Sequence, residues 1–336
     1  MSRVGDVAEL RAFPMRPPRV SVVVATRDRS ASLSRCLDSL LVLDYPDYEI
    51  VVVDNAPATA ATERLIAMRY SGEVRYVREG RPGLAAAHNR GVAVARGEIV
   101  AFTDDDVVVD RRWLLELARA FDWAADIGCV TGMISAAELE TPAQVWSEAR
   151  WGMCKGFTPR VFRISDRRRP GSLFPFAAGR FGSGANMAFR AEVLRELGGF
   201  DPALGTGTRS RGGDDLAAFF SVVAAGYALA YAPGAIVRHW PRRDYASLRR
   251  QAYGYGAGLS AYLTKTVADD PRRLFGMATR APAGLVHLLS PRSPKNAATP
   301  PDYPGELRWW ELLGMLGGPA SYLRVRRASR FAAGNR

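Results

Sequence analysis

Four short apolar runs recur through the first third of the chain, and a segment with helical spacing follows each of the first three. RVSVVVA (19–25) is a continuous Val-rich run, the pattern of a strand buried on both faces. TRDRSASLSRCLDSLLVL then places Leu33, Leu37, Leu40 and Leu41 at helical intervals. YEIVVVDN (48–55) predicts a second buried strand and ATERLIAMRY a second helix. VRYVRE (74–79) is a third, weaker strand, and PGLAAAHNRGVAVARG an Ala-rich helix stopped by Gly97. EIVAFTDDD supplies the fourth strand. Strands alternating with helices predict an α/β fold on a mainly parallel sheet, whose ligands gather at the carboxyl ends of the strands. The polar residues fall at those ends: Thr26, Asp54 with Asn55, and the triplet Asp104, Asp105, Asp106.

Three adjacent carboxylates repel one another, and burial raises that cost. Two readings account for them. The strand leaves the core there and the acids are solvated, or a divalent cation sits among them. A strand turns alternate side chains to one face, so Asp104 and Asp106 converge on the second reading while Asp105 points away. Hard cations such as Mg²⁺ or Mn²⁺ take carboxylate oxygens and share them with substrate phosphates. A dinucleotide site is excluded locally. After the first strand the chain reads ATRDRSAS, without the Gly-rich turn that brings a pyrophosphate to a helix N-terminus. The same absence disfavours a nucleotidyltransferase.

Composition changes this picture in three places. Hydrophobic residues make up 48% of the 336, ordinary for a globular protein. Cys36, Cys129 and Cys154 lack metal-ligand spacing, so neither a zinc site nor a disulfide framework is expected. Net charge is +12, and Pro241 to Arg336 holds 16 Lys+Arg against 6 Asp+Glu, or +10 of it. Anionic lipid, a phosphorylated substrate or a solvated basic surface each explains that; no nucleic-acid motif accompanies it, and nucleic acid is not an expected partner. The start, MSRVGDVAELRAFPMRPP, lacks the apolar stretch of a signal peptide, and no apolar run reaches the ~18 residues of a spanning helix. The expectation is a cytoplasmic protein, at most attached peripherally to the inner membrane face.

The order of motifs carries more than any one of them. RVSVVVATRDR, YEIVVVDNA and RPGLAAAHNRGVAVARGEIVAFTDDD, followed by FGSGANMAFRAEVLRELGGFDPALGTGTRSRGGDDLAAFFSVVAAGYALAYAPGAIVRH, resemble the family 2 glycosyltransferases of GT-A fold over about residues 19–240. The resemblance implies a Rossmann-like, mixed and mainly parallel sheet flanked by helices. On it, a leader (1–18) precedes a catalytic domain (19–243) with a nucleotide-binding half (19–110) and an acceptor half (111–243). It also implies inverting, metal-dependent sugar transfer from a nucleoside diphosphate sugar to a hydroxyl. The acceptor is a cell-surface glycan, a glycolipid or a small secondary metabolite. Thr26, Asp54 and Asn55 then bind base and ribose, with Arg81 assisting. Asp104 and Asp106 match the DxD motif, with Asp105 beside them on the donor; Asp106, Asp104 and His239 attend the Mn²⁺ or Mg²⁺. Where relatives carry an acidic pair, usually Glu-Asp, this chain has GGDDL. Asp215 is the expected general base, with Asp214 binding the acceptor or orienting its neighbour. Gly184, Asn186 and Gly213 line the sugars, the glycines allowing close approach. A non-catalytic sugar-nucleotide-binding protein of the same fold is the alternative, and the intact acids at both motifs argue against it.

From 244 to 336 the pattern is helical and basic. YASLRRQAYGYGAGLSAYLTKT is expected to lie under the active site, and SPRSPKNAATPPDYP is a Pro-rich loop. Trp309, Trp310, Tyr322, Arg324, Arg326, Arg327 and Arg330 suit an interface with an anionic membrane surface, or helices packed on the catalytic domain. His88 and His287 read as structural.

Overall fold

The computed structural model describes residues 17–168 and 173–334. Most of the predicted leader therefore lies outside the described residues. The first four runs are strands β1 (Val20–Thr26), β2 (Tyr48–Asn55), β3 (Val74–Glu79) and β4 (Ile99–Asp104), mutually parallel where they pair. Helices α1 (Ser30–Leu40), α2 (Ala61–Arg69) and α3 (Leu84–Val94) connect them. The unbroken apolar runs have a simple cause. Val20, Val22 and Val24 enter the core on one face of the sheet, and Val23 enters the core on the other. Ile50 and Val52 of β2 likewise oppose Val51 and Val53. A strand covered on both faces has no polar side to alternate with.

Beyond β4 come β5 (Val107–Val109), α4 (Trp113–Phe121), β6 (Ile127–Ala136), α5 (Pro142–Trp151), β7 (Arg160–Phe162), β8 (Asn186–Arg190), α6 (Ala191–Glu196), α7 (Asp214–Ala224) and β9 (Ala228–His239). The sheet runs β3-β2-β1-β4-β8-β6-β9-β5, with β7 on β9. β8 enters antiparallel between β4 and β6, making the sheet mixed. Residues 186–190, whose Asn186 was expected to line the sugars, are thus a central strand. Their near-complete burial, including Met187, Ala188 and Phe189, is what the short sequence NMAFR did not advertise.

The last third is helical, as its pattern predicts: α8 (Tyr245–Asp269), α9 (Arg273–Ala278), α10 (Ala281–Leu289), α11 (Pro294–Ala297) and α12 (Glu306–Gly334). Asp244 caps α8, its carboxylate accepting from the Ser247 N–H at 2.8 Å. α8 and α12 pack closely enough that a Cβ on Gly314 would lie 2.1 Å from the Tyr253 carbonyl oxygen. A buried ionic cluster joins α12 to α5 and α11: Arg150 donates to Glu311 at 2.9 Å, and Lys295 donates to the same carboxylate. Tyr322 is fully buried and donates to Asp201 at 3.0 Å, so it belongs to the core and not to an interface. Among the described residues no helix is long and apolar enough to cross a membrane.

Candidate functional site

A cavity of about 2080 Å³ opens between the strand ends, α7 and the C-terminal helices. Thr26, Asn55 and Asp104 to Asp106 line one part of it. Gly184, Gly213, Asp214 and Asp215 line another, and His239 and Arg242 also reach its wall.

The aspartates do not alternate. β4 ends at Asp104, and Asp105 and Asp106 form a turn, so strand periodicity stops where the expectation applied it. Asp105, far from pointing away, accepts from Thr26 Oγ1 at 2.6 Å and from Arg29 at 2.6 Å. The other arm of Arg29 reaches Asp106 at 2.8 Å. His239 Nε2 stands 3.5 Å from Asp106, with Arg242 at 3.9 Å. Burial pushes the Asp104 carboxyl well up, and the charges of Asp106 and Asp105 beside it push the same way. Burial also pushes Asp105 up, to about 6, against the pull of Arg29. The solvated-turn reading fails: Asp105 and Asp106 are 4% and 7% exposed.

These residues fit a divalent cation. Hard carboxylate oxygens are at hand, and burial lowers the His239 pKa more than Asp106 raises it, which favours the neutral ring a metal requires. Its Nδ1 is buried without a hydrogen-bond partner. Among the described residues no three His, Cys, Asp or Glu side chains already enclose one point, and Arg29 spans Asp105 and Asp106. Sequence reasoning passed over Arg29, although its place in TRDR, just past a strand end, is a usable signal.

The nucleotide-side expectations divide. Thr26 and Asn55 both line the cavity, but the Thr26 hydroxyl is engaged by Asp105. The Asn55 amide fixes the next loop, donating to the Arg81 carbonyl and accepting from the Gly83 N–H, both at 2.8 Å. Asp54 is fully buried beside it; Tyr76 donates to Oδ2 at 3.1 Å, while Oδ1 has no partner. Arg81 is not brought to the cavity. Its side chain is 74% exposed and pairs with Glu79 at 3.2 Å.

At the acidic pair, Gly213 precedes α7 with φ of 86°, so both aspartates stand in the first helical turn. A Cβ on Gly213 would lie 2.4 Å from the Gly258 carbonyl oxygen of α8. That packing and the positive φ both call for the glycine, which also lines the cavity. Asp215 faces the cavity; its Oδ2 accepts from the Gly184 N–H at 3.0 Å and Oδ1 from the Leu216 N–H at 2.8 Å. Burial raises its pKa, opposed by those N–H groups. Asp214 turns inward and is 4% exposed, its Oδ2 unpartnered at 3.7 Å from His88 Nδ1. Burial and the Asp215 charge push it to about 7, while burial drops His88 to about 3. His88, read as structural, is indeed packed between Phe102 and Phe200, but behind Asp214. Asn186 is a correction. It is fully buried, donates to the carbonyls of Met133 and Ala235 at 2.9 and 2.8 Å, and accepts from Trp113 at 2.8 Å. Its amide has nothing left for a sugar. Trp151 and Tyr255, with ring centroids 5.5 Å apart, and Lys155 line the cavity and were not singled out by sequence.

The comparisons with known proteins agree with this geometry. The chain is 27% identical over 251 residues to a pre-mycofactocin glycosyltransferase of Mycobacterium tuberculosis, covering 72% of this chain and 48% of that protein. It is 26% identical over 251 residues to an N-acetylglucosaminyltransferase of Azorhizobium caulinodans, covering 71% and 59%. The chain thus spans about half the length of the first relative and under two thirds of the second. Among solved structures, a mannosyltransferase of Pyrobaculum calidifontis in complex with GDP-Man and Mn²⁺ superposes with a TM-score of 0.53 at 21% identity, covering 94% of this chain and 90% of that one. GalNAc-T7 with UDP, GalNAc and Mn²⁺ gives 0.52 at 18%, covering 73% and 51%. Those likenesses show the GT-A fold. The profile described as glycosyltransferase like family 2 matches residues 17–253, and the chain belongs to that family.

Proposed function

We propose that the protein is an inverting glycosyltransferase moving a sugar from a UDP-, GDP- or dTDP-linked donor to a hydroxyl acceptor. The observation that carries this reading is the pairing, in one cavity wall, of a charge-compensated aspartate cluster with Asp215, a carboxylate held by two backbone N–H groups and raised in pKa. The cluster suits a diphosphate and its counter-ion, and the raised carboxyl suits a proton acceptor. Asp104, Asp106 and His239 are the residues that would hold Mn²⁺ or Mg²⁺; bound there, the cation supplies charge neutralisation at the diphosphate.

In the step itself, the acceptor oxygen forms a bond to the anomeric carbon as Asp215 takes its proton. The bond from that carbon to the diphosphate oxygen breaks, and the nucleoside diphosphate leaves with the electron pair. Asp215 is anchored through both oxygens, which fixes its direction towards the hydroxyl. Asp214, the more deeply buried of the two, acts on the protonation of Asp215 through the charge they share. Arg29 and Arg242, already at the carboxylates and in the cavity wall, are cations available to diphosphate oxygens. The Trp151–Tyr255 pair offers apolar ring faces to an acceptor.

The test is a thermal-shift panel of nucleoside diphosphates and their sugars with Mn²⁺ or EDTA. One nucleotide should stabilise the wild type in Mn²⁺ and lose its effect in EDTA. Asp106→Ala should abolish the difference between the two conditions. Nucleotide affinity that is the same in the variant and indifferent to EDTA removes the metal from the mechanism.

A further inference from the structure

Helices α9 and α10 carry apolar side chains on two opposite faces. Neither contains a buried residue. On one face Leu274, Met277, Ala281, Gly284 and Leu288 line the same cavity that holds Asp215, joined there by Leu259 and Leu263 of α8. On the other, Phe275, Leu285, Val286 and Leu289 are 77%, 57%, 63% and 57% exposed and take no part in the cavity. Single exposed hydrophobes need no explanation, but four on one short helical pair form a patch. The helices themselves carry cations and no acids, although Arg273 pairs with Asp270 at 3.4 Å and Lys295 is committed to Glu311. From 271 to 301 the chain has five Lys+Arg and no Asp or Glu, and exposed Arg272 and Arg292 bracket the two helices.

We propose that the acceptor is lipid-borne: its hydrocarbon chain enters the apolar limb of the cavity beneath α9 and α10, while the outer face of these helices rests in an anionic leaflet. The juxtaposition supports one occupant on both sides. An apolar face flanked by the exposed Arg272 and Arg292 matches the acyl boundary and anionic headgroups of a bilayer, to which each surface Lys or Arg adds attraction. The limb's wall is mostly Leu, Met, Ala and Gly, with Arg280 and His287 the polar side chains that these helices add to it; the apolar stretch accepts an alkyl or isoprenoid chain, and the two polar groups suit a phosphate at its head. Of the residues singled out in the sequence, Trp309, Arg324 and Arg327 are exposed, and α9 and α10 add a second surface to them. Arg326 is paired with Asp269 at 3.0 Å, and Trp310 lies under Arg249, so neither is free for lipid; the side chain of Arg330 lies outside the described residues.

The acceptor assignment rests on the sugar-transfer reading, so the experiment keeps the two separable. Co-sedimentation uses phosphatidylcholine vesicles with and without phosphatidylglycerol, at low and high salt. The wild type should bind the anionic vesicles in low salt. Phe275→Asp/Val286→Asp should lower the partition by roughly tenfold or more. In the second arm dodecyl phosphate is titrated, with inorganic phosphate as control. The wild type should bind the alkyl phosphate saturably and Gly284→Phe, which fills the limb, should lose it; a Cβ there lies 3.8 Å from Leu173, leaving room for the ring to project. Circular dichroism and nucleotide binding report whether each variant is folded. A wild type that stays in the supernatant, or alkyl phosphate binding undiminished in Gly284→Phe, overturns the proposal. Failure of every nucleotide to bind overturns the sugar-transfer reading instead, whatever the vesicles show.

Discussion

Two adjacent aspartates in the first turn of α7 have different surroundings, and their chemistry follows from that difference. Both reach the cavity wall, but Asp215 has both oxygens hydrogen-bonded, whereas Asp214 is more deeply buried with one oxygen unpartnered. Asp215→Asn keeps the size and removes the proton acceptor, so turnover should fall by roughly 10²–10⁴ with donor affinity near wild type. A larger loss in Asp214→Asn would reverse the assignment. The pH profile makes a second check. Both folded carboxyls are raised above the ordinary aspartate value, and the base must be deprotonated, so activity should fall with acidification at a pH above the usual carboxylate range. The pair titrates as a unit. Removing the Asp214 charge should therefore shift that acid limb downward; a limb that does not move means the two groups are not coupled.

At the level of elements, the turn that opens α7 is held from outside the span matched by the family. Gly258 lies beyond residue 253, where the profile match ends, yet α8 packs backbone to backbone against Gly213 through it. Gly213→Ala forces both a positive φ and a clash at 2.4 Å. A loss of about 1–3 kcal/mol in unfolding free energy is expected, with turnover falling further than donor binding. Unchanged stability in chemical denaturation would show that the turn tolerates the side chain. β1, β2 and β4 were legible because burial on both faces leaves an unbroken apolar run, whereas β3, at the sheet edge with Arg75 and Arg78 in it, gave a weaker signal. β8 was not legible, since five residues with a polar Asn at their head carry no period of their own, and its place in the sheet is set by β4 and β6. Asn186 was misassigned for the same reason: a glycine-rich approach resembles a binding loop until the strand pairing is known. The aspartate cluster was located correctly, but the turn after Asp104 and its Arg29 partner depend on contacts across the sheet that spacing does not reveal.

Across the whole molecule, the N-terminal sheet and the C-terminal helices share one cavity, and Glu311 is a principal tie between them. Arg150 from α5 and Lys295 from α11 meet on it, all with side chains at most 14% exposed. Burial pushes the Glu311 carboxyl up, but Lys295 and Arg150 outweigh this and hold it below its ordinary 4.5. Glu311→Ala leaves two buried cations without their shared partner and should cost about 3–5 kcal/mol of stability. The sign of the pH dependence follows. A depressed folded pKa contributes stability above the unfolded value and loses it as pH falls through the folded one, so the deficit of the variant should narrow below pH 4.5. A gap that stays constant on acidification would assign the loss to packing instead of charge.

The pairing of Arg29 with Asp105 and Asp106 has a consequence for how such a protein is made and kept. A binding centre built from bare acids would depend on its ion to fold, and every chelator would be a denaturant. Here the polypeptide brings its own counter-cation to the acids. On the proposed metal reading, folding and ion supply would be uncoupled, and EDTA alone should leave the unliganded protein folded.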